Sequence, residues 1–205
     1  MVTLAPQATP ELLTGRRIEI LGVFGSGKTT LAKKLIAESE EPQPLLAEQH
    51  EQNPFWGAER QNQILGYLAY DLSFLMQHAH LVASINSEGI HFCDWSFRSD
   101  RVWASMRLDQ EFPAYDAVYN SIQQRLPSPL GYLYLKQPVD LIARRLGLRG
   151  RVAERSFLDY VKSAAEQLDE FARTLSSDQI MEVTDDVSLS EICAWLEKRG
   201  KNDNE

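Results

Sequence analysis

The sequence predicts an α/β fold of three layers, in which a parallel sheet of about five strands is flanked by helices. Short apolar segments of strand length alternate along the chain with longer segments whose apolar residues recur at helical spacing. This alternation is typical of a parallel sheet covered on both faces, because parallel strands need a long crossover between them. A glycine-rich turn between the first predicted strand and the first predicted helix supports the same fold class.

The first half of the chain begins with a predicted strand at residues 17–21 (RIEIL), which is rich in β-branched side chains, and a helix at 29–38 follows it. Residues 45–48 predict a short second strand. Apolar side chains recurring along one side predict a long helix over 60–85. The run IHFCD predicts a buried strand at 90–94 that ends on a carboxylate.

The second half continues the alternation, with strands predicted at 131–135 (GYLYL) and 180–183. The remaining helices are predicted at 99–108, 114–126, 139–146, 157–175 and 189–198. Because α/β sheets bind ligands beyond the carboxyl ends of their strands, we expect the glycine-rich turn, Glu48 and Asp94 to share one rim.

Length and composition predict a single domain without a polyanionic partner. The chain has 205 residues and a net charge of −8, which argues against binding to nucleic acid or to an anionic membrane surface. We expect one domain over 16–200, a loose arm over 1–15 and a frayed tail over 201–205. No signal peptide or membrane span is expected, and two distant cysteines indicate a reducing compartment, so a cytoplasmic location is predicted.

Residues 22–29 (GVFGSGKT) match the phosphate-binding pattern G-x-x-x-x-G-K-[ST] in full. Glycines let backbone N–H groups converge on phosphate oxygens, and the helix N-terminus adds a positive dipole end. Lys28 should reach the β- and γ-phosphates, and Thr29 should hold Mg²⁺. The pattern predicts a P-loop nucleoside-triphosphatase fold that uses ATP and Mg²⁺. The predicted cradle residues are Gly22, Gly25, Ser26, Gly27, Lys28, Thr29 and Thr30.

Asp94 ends a predicted buried strand, so it should lie near Thr29 and share the metal or its waters with that residue. A helix-capping aspartate before Ser96 is the alternative interpretation.

Four arginines fall within residues 144–151 of an otherwise acidic chain. Glycines among them indicate a hinged loop between two helices. Arginine stabilises negative charge on a transferring phosphoryl group, and a closing loop excludes water. The segment therefore predicts an arginine-rich lid at about 145–155, although an ordinary basic helix end has the same composition.

Three motifs resemble the deoxynucleoside kinase family, which includes deoxycytidine and deoxyguanosine kinases. Residues 145–154 meet the lid spacing R-x-x-x-R-G-R-x-x-E. Residues 48–55 (EQHEQNPF) resemble the stretch E-P-V-x-x-N-P-F, and residues 94–101 (DWSFRSDR) resemble E-R-S-x-x-S-D-R. With the P-loop, the likeness covers about three quarters of the chain, as far as Tyr160.

The resemblance implies roles on the ATP side of the site. Arg145 would lie near the adenine, while Arg149 and Arg151 would hold the phosphates and support catalysis. Residues 185–187 would line the adenine.

The resemblance also implies roles on the acceptor side. Glu48 would be the general base that takes the proton of a substrate 5′-hydroxyl. Glu154 would approach the sugar 3′-hydroxyl, and Asp100 would face the base. The family also implies a helix-packed homodimer.

The acceptor side departs from the family pattern at several positions. Trp95 replaces an arginine beside the phosphate acceptor. Asp71 and His78 fall where the family has a base-reading glutamine and arginine, and Arg60 falls where it has a sugar-contacting tyrosine. Asp71, His78 and Arg60 are therefore candidate substrate contacts, and Asp71 with His78 could form a base-reading or a purely structural pair. The tryptophans Trp56, Trp95 and Trp103 could stack on a ring or fill the core.

The leading hypothesis is a kinase that transfers the γ-phosphate of ATP to a hydroxyl of a deoxynucleoside or similar small molecule. One alternative is a thymidylate-type monophosphate kinase, in which Arg60, Arg98 or Arg101 would hold the acceptor phosphate. Another is a non-catalytic ATP-binding module, which the loss of an arginine at Trp95 favours.

Overall fold

The computed structural model describes residues 16–39, 43–85, 89–148 and 155–202. Five parallel strands form one sheet in the order β2-β3-β1-β4-β5. The strands are β1 (Arg17–Leu21), β2 (Leu45–Leu46), β3 (His91–Cys93), β4 (Gly131–Leu135) and β5 (Ile180–Val183). The predicted parallel sheet of about five strands is confirmed.

Eight α-helices occur in these described ranges. They are α1 (Lys28–Glu38), α2 (Glu59–Leu65), α3 (Leu68–Ala83), α4 (Phe97–Arg107), α5 (Phe112–Gln123), α6 (Val139–Leu148), α7 (Arg155–Arg173) and α8 (Leu189–Asn202). None of these helices is long and apolar enough to cross a membrane.

Helices cover both faces of the sheet, so the structure has three layers. On one face, Ile18 and Ile20 of β1 pack with buried residues of α1 and α8. On the other face, Leu21 packs with buried residues of α4, α6 and α7. A third cluster joins α3, α4 and α5, and it includes Leu75 and Tyr115. Every residue of β1 is buried, as expected for the central strand of a covered parallel sheet.

Two charged residues are buried in β1 and support the start of α4. Arg17 Nη2 lies 2.8 Å from Glu19 Oε1, and both side chains are about 1% exposed. Glu19 Oε2 accepts a hydrogen bond of 3.3 Å from the Phe97 backbone N–H. The pair therefore anchors the helix that carries Asp100.

The helix predicted over 60–85 is wrong as a single element, because α2 and α3 are separated at Gly66. Gly66 has φ 80° and ψ 168°, a backbone conformation open almost only to glycine. A Cβ at this position would also lie 2.7 Å from Glu111 Oε2. The apolar periodicity continues through the break, which is why the sequence pattern alone indicated one helix.

Gly66→Ala should lower the free energy of unfolding by about 1–3 kcal/mol, because alanine must adopt this strained backbone conformation. Rotation of the flexible Glu111 side chain can relieve the steric contact, so the backbone dominates the cost. Urea denaturation measures the change. Gly147→Ala is the matched control, since a Cβ in α6 meets nothing within 4 Å. An equal effect of both substitutions would contradict this assignment.

The other differences concern the ends of elements. The second strand covers Leu45–Leu46, so Glu48 lies in the following loop rather than in the strand. The last helix continues to Asn202, beyond the predicted end at 198 and into the predicted tail. The predicted arm over 1–15 and residues 203–205 lie outside the described residues.

Candidate active site

The P-loop turn adopts a conformation that requires glycine at its first position. Gly22 has φ 148°, and a Cβ there would lie 2.7 Å from Ser26 Oγ and 3.1 Å from the Leu135 carbonyl oxygen. Gly25 and Gly27 also have positive φ values. The turn is therefore folded tightly against the carboxyl end of β4, at the rim where α/β sheets bind ligands.

The turn leads directly into α1, whose first turn is suited to bind an anion. Gly27 provides no side-chain cap, and the first turn contains no acidic residue. The backbone N–H groups at a helix N-terminus lack intrahelical partners and lie at the positive end of the dipole. Together with the glycine turn, they fit the phosphate cradle that the sequence predicts.

Lys28 extends back along the turn. Its Nζ donates hydrogen bonds to the carbonyl oxygens of Gly22 at 2.9 Å and Val23 at 3.2 Å. The ammonium group is therefore held over the cradle, where an added phosphate would be its strongest partner.

Asp94 connects the P-loop helix to the loop that carries Glu48. The Thr29 hydroxyl donates a 2.7 Å hydrogen bond to Asp94 Oδ2, and the Glu48 backbone N–H donates a 2.8 Å bond to Asp94 Oδ1. The expected proximity of Thr29 and Asp94 is confirmed. Asp94 also fixes the backbone position of Glu48 relative to the cradle.

A hydroxyl and a carboxylate side by side are oxygen ligands of the kind that Mg²⁺ takes, usually together with waters and substrate phosphates. Among the described residues, no group of three or more His, Cys, Asp or Glu side chains could hold a metal ion. The adjacent Thr29 hydroxyl and Asp94 carboxylate fit a magnesium ion that takes its remaining ligands from waters and a nucleotide.

Two cavities meet at the P-loop. The first, of about 520 Å³, is lined by Lys34, Gln137, Arg145 and the segment 183–185 with Val187. The second, of about 400 Å³, contains Glu48, Asp94 and Asp100 in its wall. Gly25, Gly27 and Thr30 line both cavities. A phosphate chain on the P-loop could therefore extend from one cavity to the other.

Glu48 is exposed to the second cavity, and its pKa is raised. Desolvation by the surrounding protein is the largest cause, followed by the negative charge of Asp100, while His78 and Lys28 oppose the shift. A carboxylate whose pKa lies above its ordinary value is a stronger base once it is deprotonated.

Arg145 is the lid arginine for which the structure gives a position. Its Nη1 donates to the Ser26 carbonyl oxygen at 2.8 Å, and the residue lines the first cavity. Asp185 and Val187, which were expected near the adenine, line the same cavity. Arg149, Arg151 and Glu154 lie outside the described residues, so their predicted roles remain predictions.

Asp71 and His78 do not pair with each other; each pairs with a residue of α4. Asp71 Oδ1 accepts a 2.5 Å hydrogen bond from Arg107 Nη1, and His78 Nδ1 lies 2.6 Å from Asp100 Oδ2. The two α3 side chains point to α4 because α3 and α4 pack together.

The imidazole ring of His78 lies behind the cavity wall. It is about 1% exposed and stacks on Trp95 at a centroid distance of 3.8 Å. Burial favours its neutral form, but the charge and hydrogen bond of Asp100 outweigh burial and raise the pKa of His78. His78 therefore contacts Asp100 and Trp95 and is not among the residues that line the second cavity, and its expected contact with a substrate stays a prediction.

Three other candidates occupy different environments. Arg60 is exposed on α2 and lines neither cavity, and its expected substrate contact stays a prediction. Trp56 is 42% exposed and lines the second cavity, where Tyr70 and Phe74 are its neighbours. Trp103 is largely buried and stacks on Phe24 at 4.3 Å.

Arg107, Tyr70 and Phe74 line the second cavity but were not identified by the sequence analysis. Arg107 is the charged residue of these three. It packs its guanidinium over the Tyr70 ring, 4.8 Å from the centroid, while it binds Asp71. Its spacing from Asp100 is seven residues, or about two helical turns, which puts both on one side of α4. That spacing was a signal in the sequence, but the partner on α3 could not be inferred from it.

Comparisons with known proteins agree with this geometry. A profile of the deoxynucleoside kinase family matches residues 18–193. A search of curated proteins found no match. Similar solved structures include deoxyadenosine kinase from M. mycoides in three ligand states.

The structure with the products dCMP and a flexible dCDP has a TM-score of 0.70 at 18% identity and covers 92% of this chain and 100% of that chain. The structure with dCTP has a TM-score of 0.71 at 17% identity, covering 90% and 99%. The structure with dATP has a TM-score of 0.68 at 19% identity, covering 89% and 98%. At these identities the solved structures show a common fold. The family is shown by the profile match, which spans most of the chain. The chain therefore belongs to the deoxynucleoside kinase family and is a kinase that transfers phosphate from ATP to a nucleoside.

Proposed function

We propose that the protein transfers the γ-phosphate of ATP to the 5′-hydroxyl of a deoxynucleoside, with Glu48 as the general base. The observation that carries this proposal is the arrangement of two cavities around one P-loop, with Glu48 in the wall of the second. ATP would occupy the first cavity and the nucleoside the second. The reacting groups would then meet at the glycines that line both cavities.

The chain's own residues supply the parts that phosphoryl transfer needs. The P-loop amides and Lys28 hold the triphosphate and stabilise the charge of the transferring group. Glu48 accepts the proton of the acceptor hydroxyl, and the bond from its N–H to Asp94 keeps it close to the cradle. Mg²⁺, bound at Thr29 and Asp94 with the nucleotide, would neutralise phosphate charge.

The second cavity suits a nucleoside because it combines aromatic and polar walls. Trp56, Tyr70 and Phe74 offer apolar surfaces against which a base can stack. Asp71 and Asp100 offer hydrogen-bond acceptors. The structural relative called deoxyadenosine kinase has dCMP as a bound product, which supports a deoxynucleoside as the acceptor here.

The monophosphate-kinase alternative needs a cation for the acceptor phosphate, and none of the three candidate arginines lines either cavity. Arg98 packs over the Phe171 ring at 4.6 Å, and Arg101 Nε lies 2.6 Å from Asp116 Oδ1. Arg60 lies outside both cavities. The nucleoside acceptor therefore has the better support.

Transfer of radioactive γ-phosphate from ATP to a panel of deoxynucleosides and their monophosphates tests the proposal. We expect nucleoside monophosphates as products, and we expect EDTA to abolish their formation. Products formed only from monophosphate acceptors would favour the thymidylate-type alternative. Binding of ATP without any transfer would favour a non-catalytic module.

A cytoplasmic homodimer completes the proposal. Ile64, Leu65 and Met76 on α2 and α3 are apolar yet 73%, 72% and 53% exposed, which supports an association surface. Cys93 and Cys193 are both free, which suits a reducing compartment. Light scattering of the purified protein should give twice the mass of the chain.

A further inference from the structure

Asp71 has one oxygen that the protein leaves without a partner at the wall of the second cavity. The residue is 5% exposed, and it lines this cavity. Its Oδ1 accepts from Arg107, whereas its Oδ2 is buried without a hydrogen-bond partner. Because an unsatisfied buried carboxylate oxygen is costly, this atom is suited to accept a hydrogen bond from a ligand.

Arg107 holds Asp71 in one orientation. Its guanidinium packs over the rings of Tyr70 at 4.8 Å and Tyr67 at 5.8 Å. The Tyr160 hydroxyl on α7 also forms a hydrogen bond with Arg107. Since α3, α4 and α7 all contribute, the direction of Oδ2 is set before a ligand arrives, and this favours selective recognition.

Asp100 is a second carboxylate in the wall of the cavity, next to Asp71. Its Oδ2 is engaged by His78, and the residue lines the cavity beside Asp71. The negative charge of Asp100 acts on both Asp71 and Glu48, whereas Lys28 and Asp94 act on Glu48. Arg107, the partner of Asp71, is the last residue of α4, whereas Asp94, which accepts from Thr29 of the P-loop helix, lies just before the start of α4. Asp71 is therefore bound at the end of α4 away from the P-loop, where the nucleoside base would lie.

We propose that Asp71 selects nucleosides whose base carries an exocyclic amino group, by accepting a hydrogen bond from that group at Oδ2. This inference rests on the proposed function, because it assigns the base of the acceptor nucleoside to the second cavity. Adenine, cytosine and guanine present an amino group on their hydrogen-bonding edge. Thymine and uracil present carbonyl oxygens, which would face the lone pairs of the carboxylate.

Deoxycytidine and deoxyuridine form the most direct test, because they differ at one amino or carbonyl group and share the reacting 5′-hydroxyl. We expect kcat/KM for deoxycytidine to exceed that for deoxyuridine by about 100-fold or more, the scale on which a buried polar group rejects an analogue that leaves it unpaired. Deoxyadenosine and deoxyinosine provide the corresponding purine pair. A ratio near one for both pairs would overturn the proposal.

Asp71→Asn is the variant that tests the carboxylate itself. The amide can still accept from Arg107 through its oxygen, and it now presents an N–H donor where Oδ2 stood. We expect the deoxycytidine-to-deoxyuridine ratio to fall by about 10-fold or more. Asp116→Asn is the matched control, because it makes the same change in another aspartate–arginine pair, between α5 and α4, whose residues do not line the cavity. Equal ratios in both variants would count against Asp71.

The pH dependence of the deoxycytidine-to-deoxyuridine ratio tests the same proposal in the unmodified protein. Burial raises the pKa of Asp71 to about 7. The positive charge of Arg107 lowers this pKa, and the negative charge of Asp100 raises it further. Three tyrosines also interact electrostatically with Asp71: Tyr70, Tyr115 and Tyr160. Below pH 7 the protonated carboxyl becomes a donor, so the ratio should decrease as the pH falls. The Asp71→Asn variant should lack this decrease, and a constant ratio in the unmodified protein would contradict the proposal.

Calorimetric binding of the two nucleosides separates this inference from the proposed kinase activity. Tighter binding of deoxycytidine than of deoxyuridine, without any phosphate transfer, would support the role of Asp71 and refute the proposed activity. Equal binding of both nucleosides, with normal transfer to each, would refute the role of Asp71 alone.

Discussion

Lys28→Ala should reduce kcat/KM for phosphate transfer by about 1,000-fold or more, which corresponds to about 4 kcal/mol of transition-state stabilisation. The ammonium group lies over the P-loop, bonded to the carbonyl oxygens of Gly22 and Val23. Alanine removes the cation that would neutralise charge on the transferring phosphate. Steady-state rates of nucleoside monophosphate formation measure the loss.

Lys33→Ala is the control for this prediction. Lys33 is an exposed lysine on the same helix and lines neither cavity, so its loss changes net charge equally without touching the cradle. We expect a near-normal rate for this control. A Lys28→Ala protein that is folded and retains most of its rate would refute the assigned role.

Glu48→Gln should reduce kcat by about 100-fold or more, the usual scale for loss of a general base. Glutamine is similar in size but cannot accept the proton of the acceptor hydroxyl. The Glu48 backbone N–H still donates to Asp94, so the loop should keep its position. Calorimetry should find ATP affinity unchanged, because the proposed ATP cavity does not include this side chain.

The pH profile of kcat gives a second measurement of the Glu48 role. Burial and Asp100 raise the pKa of Glu48, and the base works only when deprotonated. The rate should therefore fall as the pH decreases through this raised pKa, and the fall should be absent in Glu48→Gln. Glu51→Gln, at an exposed position in the following turn, should keep both the rate and the acid limb. If the rate of the Glu48→Gln variant fell in the same way at low pH, the fall would arise from the titration of another group.

Much of the fold was predictable from local patterns. The strands at 17–21 and 131–135 were predicted with their observed ends, because each is a short apolar run that contains Ile or Tyr, which favour strands. The P-loop was also predictable from a local pattern, because its chemistry requires particular residue types at short, fixed spacing. The parallel order of the strands then brought Thr29, Glu48 and Asp94 together at one rim.

Local sequence patterns were enough to predict the strands and the phosphate cradle, because each depends on residues that are close together in the chain. The contacts between side chains of different helices became known from the fold: Asp71 binds Arg107, and His78 binds Asp100. Those contacts depend on how α3 and α4 pack, after the chain breaks at Gly66, and packing depends on distant residues together. Acceptor-side candidates such as Asp71 and Asp100 were therefore named from the sequence, but their partners were found in the structure, whereas the phosphate-binding side was already evident in the sequence.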